Sequence, residues 1–234
     1  GPSAASMDLC GDKMQCKSAM LKAKVPTVPG SPGLVKDVEE ALKIANDISY
    51  PVLLKSVFGG GGRGIRLVNN DKELREGFET VTSESISAVG KSAIIVEKFL
   101  QKTRHIEYQM ARDKHGNAVH IFERECSIQR RNQKLIEQTP SPIVDQETRD
   151  RIGELVVKAS KAVDYTNLGT AEFLRADNGE FYFIEINARL QVEHPITEFV
   201  SGLDLVKLQI DIANGEPLPF KQKDLKMNGY AIEC

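Results

Sequence analysis

Between Glu185 and Glu193 the chain alternates without a break. Glu185, Asn187, Arg189, Gln191 and Glu193 are polar, and Ile186, Ala188, Leu190 and Val192 between them are apolar. A period of two is the period of a strand, so an extended chain here sends five functional side chains to one side. An amphipathic surface strand gives the same alternation. Solvent faces, however, favour Lys, Thr and Ser in loose mixture, whereas two acids, two amides and an arginine in strict order look like a lined site.

Glu172 sits in the otherwise apolar run Thr170-Ala171-Glu172-Phe173-Leu174, and Glu185 in Phe183-Ile184-Glu185-Ile186. The turn Asp177-Asn178-Gly179-Glu180 between them predicts two adjacent strands, over 169–175 and 181–188. Two carboxylates buried side by side cost several kcal/mol unless neutralised. Mg²⁺ bridging nucleotide phosphates is one remedy, with Asn187 adding a carbonyl oxygen. Pairing of each glutamate with an arginine is the other.

A second cluster is Phe58-Gly59-Gly60-Gly61-Gly62-Arg63-Gly64, between predicted strands over 51–57 and 64–68. Glycines let backbone N–H groups approach phosphate oxygens. No Gly-Lys-Ser/Thr opens a helix here, and a strand follows, so it is neither a Walker A loop nor a dinucleotide fingerprint. A loose hairpin tip is the bland reading. Lys55, between Leu54 and Ser56, needs a partner if half-buried, and a phosphate would serve; a lysine snorkelling from a strand edge is the alternative.

The segment Glu123-Arg124-Glu125-Cys126-Ser127-Ile128-Gln129-Arg130-Arg131-Asn132-Gln133-Lys134 places dense positive charge after a predicted strand, as an anion site or a solvated basic loop. Val96-Glu97-Lys98-Phe99-Leu100 ends a strand near an apparent unit boundary, where backbone groups can read an adenine edge. Helices are expected over 12–24, 37–48, from Asp71, from a cap at Asp145, and over 203–213. A hairpin is expected about Lys114-His115-Gly116-Asn117, and a strand begins near Gly229.

In 234 residues with a net charge of −2 there is no basic field for nucleic acid, and no apolar run long enough to span a membrane. Four scattered cysteines, Cys10, Cys16, Cys126 and Cys234, suit free thiols in a reducing compartment.

Together these stretches resemble biotin carboxylase of the ATP-grasp superfamily, from about Gly11 to Cys234. The most specific are the run from Glu125 to Lys134 and Glu185-Ile186-Asn187-Ala188-Arg189-Leu190-Gln191-Val192-Glu193-His194-Pro195. The wording around Asn132 is most similar to the acyl-CoA (propionyl- or acetyl-CoA) carboxylase branch.

The resemblance implies an α+β ATP-grasp fold. Residues 29–100 would form a small α/β lid subdomain, and 101–234 a larger, mainly antiparallel-sheet core subdomain, truncated at its end. Residues 8–28 would be a remnant helix and linker, and 1–7 an added leader. The amino-terminal Rossmann-like domain and the final portion of the family lie outside this chain, so ATP binding is expected to be more robust in it than carboxylation.

The resemblance also implies roles. Lys13, Lys55, Gly59, Gly60, Gly61 and Gly62 would hold ATP phosphates, and Glu97, Lys98 and Leu100 would contact adenine. His105, Gln129 and Asn132 would lie along the ribose and phosphates. Glu172, Glu185 and Asn187 would carry two Mg²⁺ or Mn²⁺ ions. Lys134, Arg189, Gln191 and the Val192 backbone would bind bicarbonate, and Glu193 would be the general base, with Arg189 and Lys134 beside it as catalytic residues.

The implied reaction is ATP-dependent carboxylation of biotin through carboxyphosphate. The implied partners are a biotin carboxyl carrier and a carboxyltransferase, in a homodimeric parent of the cytoplasm or mitochondrial matrix. An ATP-grasp ligase of carbamoyl-phosphate synthetase type, or a non-catalytic nucleotide-binding module, are the competing readings.

Overall fold

The computed structural model describes residues 1–57, 64–90, 92–131 and 133–234. Phe58, Arg63, Asn132 and the expected phosphate loop of Gly59, Gly60, Gly61 and Gly62 lie outside the described residues. In chain order the elements are α1 (Ala4–Gly11), α2 (Lys13–Lys22), α3 (Val38–Ile48), β1 (Val52–Ser56), β2 (Ile65–Val68), α4 (Asp71–Val89) and β3 (Ile94–Lys98). There follow β4 (Arg104–Arg112), β5 (Ala118–Arg130), β6 (Gln133–Thr139), α5 (Gln146–Ala162), β7 (Asn167–Arg175), β8 (Phe181–Asn187), α6 (His194–Ser201), α7 (Leu205–Asn214) and β9 (Ala231–Glu233).

Helix starts follow local chemistry. Asp12, Asp37, Asn70, Asp145 and Asp204 each stand in extended or near-extended backbone, and each accepts an N–H of the first turn that would otherwise be unpaired. Ser3 does the same for α1, whose Ser6 and Cys10 are buried, so residues expected as a leader are helical here. No helix among the described residues is long and apolar enough to cross a membrane.

The chain divides into two compact units, residues 28–101 and residues 1–27 with 102–234. The smaller has the antiparallel order β2-β1-β3, with α3 and α4 closing a core of Val52, Leu54, Val68, Leu74, Ile94 and Val96. Gly30 pairs with Glu97 so tightly that a Cβ there would lie 2.3 Å from the Val96 oxygen, which only glycine avoids.

The larger unit is one antiparallel sheet, β8-β7-β4-β5-β6-β9. On one face Tyr108, Met110, Ala171 and Phe173 pack against Met20 of α2 and Ile152, Val156 and Ala159 of α5. Each such large side chain removed from water stabilises by about 1.5–3 kcal/mol. Elsewhere Leu205, Leu208 and Ile212 of α7 cover Ala111, Ile121, Phe122 and Leu168.

A bulge sets the phase of β5. Tyr108 pairs with Glu123 but Met110 pairs with His120, leaving Ile121 and Phe122 against Gln109 alone. Phe122 takes the left-handed conformation there, at φ 60°. His120 and Glu123 consequently face α5 together, and Arg124 turns to the opposite face.

Candidate active site

On that opposite face the sheet register forms a row of charge. Arg124 stands opposite Glu107, Glu107 opposite Glu172, and Glu172 opposite Glu185, across β5, β4, β7 and β8. Directly paired residues share a face, so all four emerge together. The adjoining row pairs Gln109 with Thr170 and Thr170 with Asn187.

Arg124 and Glu107 have no exposed surface. Arg124 Nε donates to Glu107 Oε1 at 2.7 Å, and Nη1 to Gln109 Oε1 and Thr197 Oγ1, each at 3.0 Å. Its Nη2 donates to Gln191 Oε1 at 2.7 Å and Thr170 Oγ1 at 3.2 Å. Lys134 reaches in from β6: its Nζ donates to Glu193 at 2.7 Å, to Glu172 at 3.1 Å, and to Glu107. Asn187 Nδ2 donates to Glu172 Oε1 at 2.8 Å, and His105 Nε2 lies 2.8 Å from Glu172 Oε2. Gln129 Nε2 is 3.2 Å from His105 Nδ1 and donates to the Cys126 carbonyl at 2.8 Å.

Buried charges persist only when paired, and the titration of these groups reflects that. Burial pushes the Glu172 carboxyl up, but His105 and Lys134 outweigh it and bring it to about 2. Burial also opposes the charged Glu107, yet Arg124 and Lys134 hold it below the usual carboxylate range. Lys134 is raised despite its burial, because Glu107 and Glu172 surround it. Cys126 is pushed up by burial and then by Glu107, so it is a neutral thiol and no nucleophile.

The structure thus brings together His105, Gln129, Lys134, Glu172, Asn187, Gln191 and Glu193. Glu185 is at the partly open end of the row, with Lys13 Nζ 3.8 Å away. Among the described residues the ion-pair partners of Glu172 and Glu185 are histidine and lysine, not arginine. Lys55, Glu97, Lys98 and Leu100 belong to the smaller unit. There Lys55 finds a partner in Glu97 at 2.6 Å, and Lys98 donates to the carbonyls of Ser49 and Tyr50 at 2.9 and 3.0 Å.

Two expectations are corrected. The alternating run is extended only as far as Asn187; residues 188–193 form bends and turns, and Glu193 is the N-cap of α6. Pro195 favours a helix start at this point, while Arg124 and Lys134 draw Gln191 and Glu193 inward. The result inverts a surface strand: Gln191 and Glu193 are buried and Val192 is 81% exposed. Arg189 is exposed, its Nη1 donating to the Leu190 carbonyl at 3.3 Å, and it does not join the cluster. Likewise the expected basic loop is largely strand, β5 running on to Arg130, with Arg124 fully buried.

Glu107, Gln109, Arg124, Thr170 and Thr197 are the site residues missed from sequence. The signal for two of them is the alternation His105-Ile106-Glu107-Tyr108-Gln109, polar on one face within an apolar strand.

The donor set suits a hard cation. Glu172 and Glu185 are direct cross-strand partners, Asn187 is bonded to Glu172, and all three offer oxygen.

Comparison with known proteins agrees with this architecture. The family model for the carbamoyl-phosphate synthase L chain, ATP binding domain, matches residues 12–221. The chain is similar to the 2-oxoglutarate carboxylase small subunit of Hydrogenobacter thermophilus, 51% identical over 234 residues, which are all of this chain and 50% of the relative. It is also similar to the mitochondrial propionyl-CoA carboxylase alpha chain of Homo sapiens, 50% identical over all of this chain and 32% of the relative. A crystal structure of the biotin carboxylase domain dimer of the H. thermophilus enzyme, with MgADP, ADP and bicarbonate, superposes with a TM-score of 0.89 at 51% identity, over all of this chain and 52% of that one. The chain therefore spans half or less of the length of these relatives. From the sheet register, the buried charge row and these likenesses together, the chain belongs to the carbamoyl-phosphate synthase L chain, ATP binding domain, family and has the α+β ATP-grasp fold.

Proposed function

We propose that this chain binds ATP and bicarbonate in a protein that carboxylates biotin. The observation carrying this reading is the convergence of Lys134 on Glu107, Glu172 and Glu193 in a buried, polar sheet face. Such a cluster costs stability and has no structural purpose that apolar residues would not serve better.

Glu193 takes the proton of bicarbonate, whose oxygen then attacks the γ-phosphorus of ATP; ADP leaves and carboxyphosphate forms. Lys134 and the Gln191 amide hold the bicarbonate, and Lys134 offsets charge on the oxygens as it builds. Glu172, Glu185 and Asn187 would hold Mg²⁺ or Mn²⁺, which supplies positive charge to the phosphates. Carboxyphosphate breaks down to CO₂ and phosphate; phosphate removes the N1 proton of biotin, and N1 attacks CO₂. Burial of Gln191 and Glu193 keeps water from the intermediate.

Lys55, Glu97, Lys98 and Leu100 would serve the nucleotide, and Arg189 and Val192 the bicarbonate, as the resemblance implies. A biotin carrier, a carboxyltransferase and a second copy of the parent are the proposed partners, in the cytoplasm or the mitochondrial matrix. The carbamoyl-phosphate synthetase reading is not favoured, because relatives sharing half of the residues across this whole chain are carboxylases.

Calorimetric titration with MgATP tests the reading. Binding by the chain, weakened at least tenfold in Glu185→Ala and in Lys55→Ala, is the expected result, equivalent to about 1.4 kcal/mol. A folded chain that binds no MgATP overturns it.

A further inference from the structure

An amide side chain can sit in a given pocket two ways, because its oxygen and nitrogen have nearly the same shape. At Gln191 the neighbours remove the choice. A guanidinium only donates, so the Gln191 atom 2.7 Å from Arg124 Nη2 must be the oxygen. The amide nitrogen is then turned toward the acids, 3.2 Å from Glu172 Oε1 and 3.4 Å from Glu107 Oε2.

Arg124 cannot swing to accommodate the other arrangement. It has no exposed surface, and its remaining donors are committed to Glu107, Gln109, Thr170 and Thr197. Three of these belong to β4 and β7 and one to α6, so the guanidinium fastens the turn carrying Gln191 and Glu193 to the sheet at one point.

We propose that Arg124 is a positioning residue for the bound anion: it fixes the Gln191 amide with its N–H groups toward Lys134 and the acid row, where bicarbonate is read to bind. This rests on the bicarbonate reading above. A cluster containing Glu107, Glu172 and Glu193 is rich in acceptors, and an anion entering it needs donors. With the amide reversed, its oxygen would face the anion and repel it. Arg124 touches no reacting atom in this account and acts through Gln191.

The test is an NMR experiment on the whole ¹⁵N-labelled chain, with the Gln191 side-chain amide assigned by its loss in Gln191→Glu. In the parent this amide exchanges slowly with water and shifts as bicarbonate is added. In Arg124→Lys, which keeps a charge for Glu107 but loses the fork, it is expected to exchange at least about tenfold faster. Bicarbonate should bind at least about tenfold more weakly, as for the loss of one charge-assisted hydrogen bond. MgATP affinity should stay within about threefold, the separation that a general structural defect would not give.

A folded Arg124→Lys whose exchange and bicarbonate affinity match the parent overturns the inference, as does an equal fall in MgATP affinity. If that variant does not fold, Thr170→Val with Thr197→Val removes two of the anchors while keeping the Glu107 pair. Faster exchange there supports the proposal, and unchanged exchange overturns it. A parent whose protected Gln191 amide ignores bicarbonate overturns instead the bicarbonate reading, and with it the ligand named here.

Discussion

Replacing Arg149 by Met breaks one buried ion pair, along with its bonds to the Val144 carbonyl and Gln146 at 3.1 Å each. Arg149 Nε and Nη2 meet the two oxygens of Glu123 at 2.7 Å each, and Glu123 has no exposed surface. Among the described residues, the Ser141 N–H also donates to that carboxylate, at 3.1 Å. Methionine retains most of the bulk but leaves Glu123 charged and nearly unpaired inside the protein. Breaking such a pair from one side costs about 3–5 kcal/mol, whereas replacing both members is often close to neutral. For a chain of this size, each kcal/mol lowers Tm by about 2–4 °C, so Arg149→Met should fall by roughly 6–20 °C. Glu123→Gln combined with Arg149→Met should recover most of that loss. Thermal unfolding of the parent, the two single variants and the double variant gives the coupling directly. MgATP binding should persist in all that fold, since neighbouring positions on a strand point to opposite faces and Glu123 faces away from Arg124. A loss below about 1 kcal/mol for Arg149→Met, the range of an exposed pair, would mean that Glu123 does not depend on Arg149. So would a double variant as unstable as the single one.

Gly153→Ala should destabilise by about 1–3 kcal/mol in urea unfolding, although alanine is the better helix former by about 1 kcal/mol. A Cβ at 153 would lie 2.2 Å from His120 Nε2, so the buried ring or the helix would have to shift; a gain in stability would contradict this. Burial lowers the His120 imidazole to about 4, Asp150 opposing and Arg149 adding to the shift. Its neutral ring therefore contributes fully above the unfolded value near 6.5, and the contribution is lost as pH falls toward 4. Between pH 6.5 and 5 this amounts to roughly 1.5 kcal/mol, and His120→Gln should flatten that part of the stability profile. If the proposed function holds, Lys134→Met should reduce bicarbonate-dependent ADP release at least about 100-fold, the scale of one electrostatic contact in a transition state. A change within about threefold would place Lys134 outside the reaction.

The readability of the sequence depended on whether a signal was local. Caps such as Asp145, the turn at Asn178-Gly179 and the apolar run around Glu172 are local, and the corresponding helix and strands lie close to expectation. Two structures beside the charged row were hidden, as was α1. β6 was obscured because Gln133 to Thr139 mixes polar and apolar residues on a strand only partly buried. The α6 start was obscured because the polar-apolar alternation continues past the end of β8, though for a different reason: Gln191 and Glu193 are polar because Arg124 and Lys134 require partners. Arg124 itself reads as part of a basic run, an anion site or a solvated loop, with Arg130 and Arg131, and those two are exposed. Its burial is decided by a bulge at Phe122, and no residue type at that position announces a positive φ.

That bulge explains how one sheet bears both stability and chemistry. Without it, β5 would send His120 and Glu123 to opposite faces, and the phase that puts Arg124 opposite Glu107 would be lost. With it, the face toward α5 collects Ile106, Tyr108, Met110, Ala171 and Phe173, a continuous apolar layer. The other face collects the charged row, whose burial opposes folding. The two are coupled because the same strands carry both: Ile106 and Tyr108 flank Glu107 on β4, and Ala171 and Phe173 flank Glu172 on β7. An extended backbone of period two can therefore hold Glu107 and Glu172 in a costly setting, because Tyr108 and Phe173, their immediate neighbours, are anchored in the opposite layer.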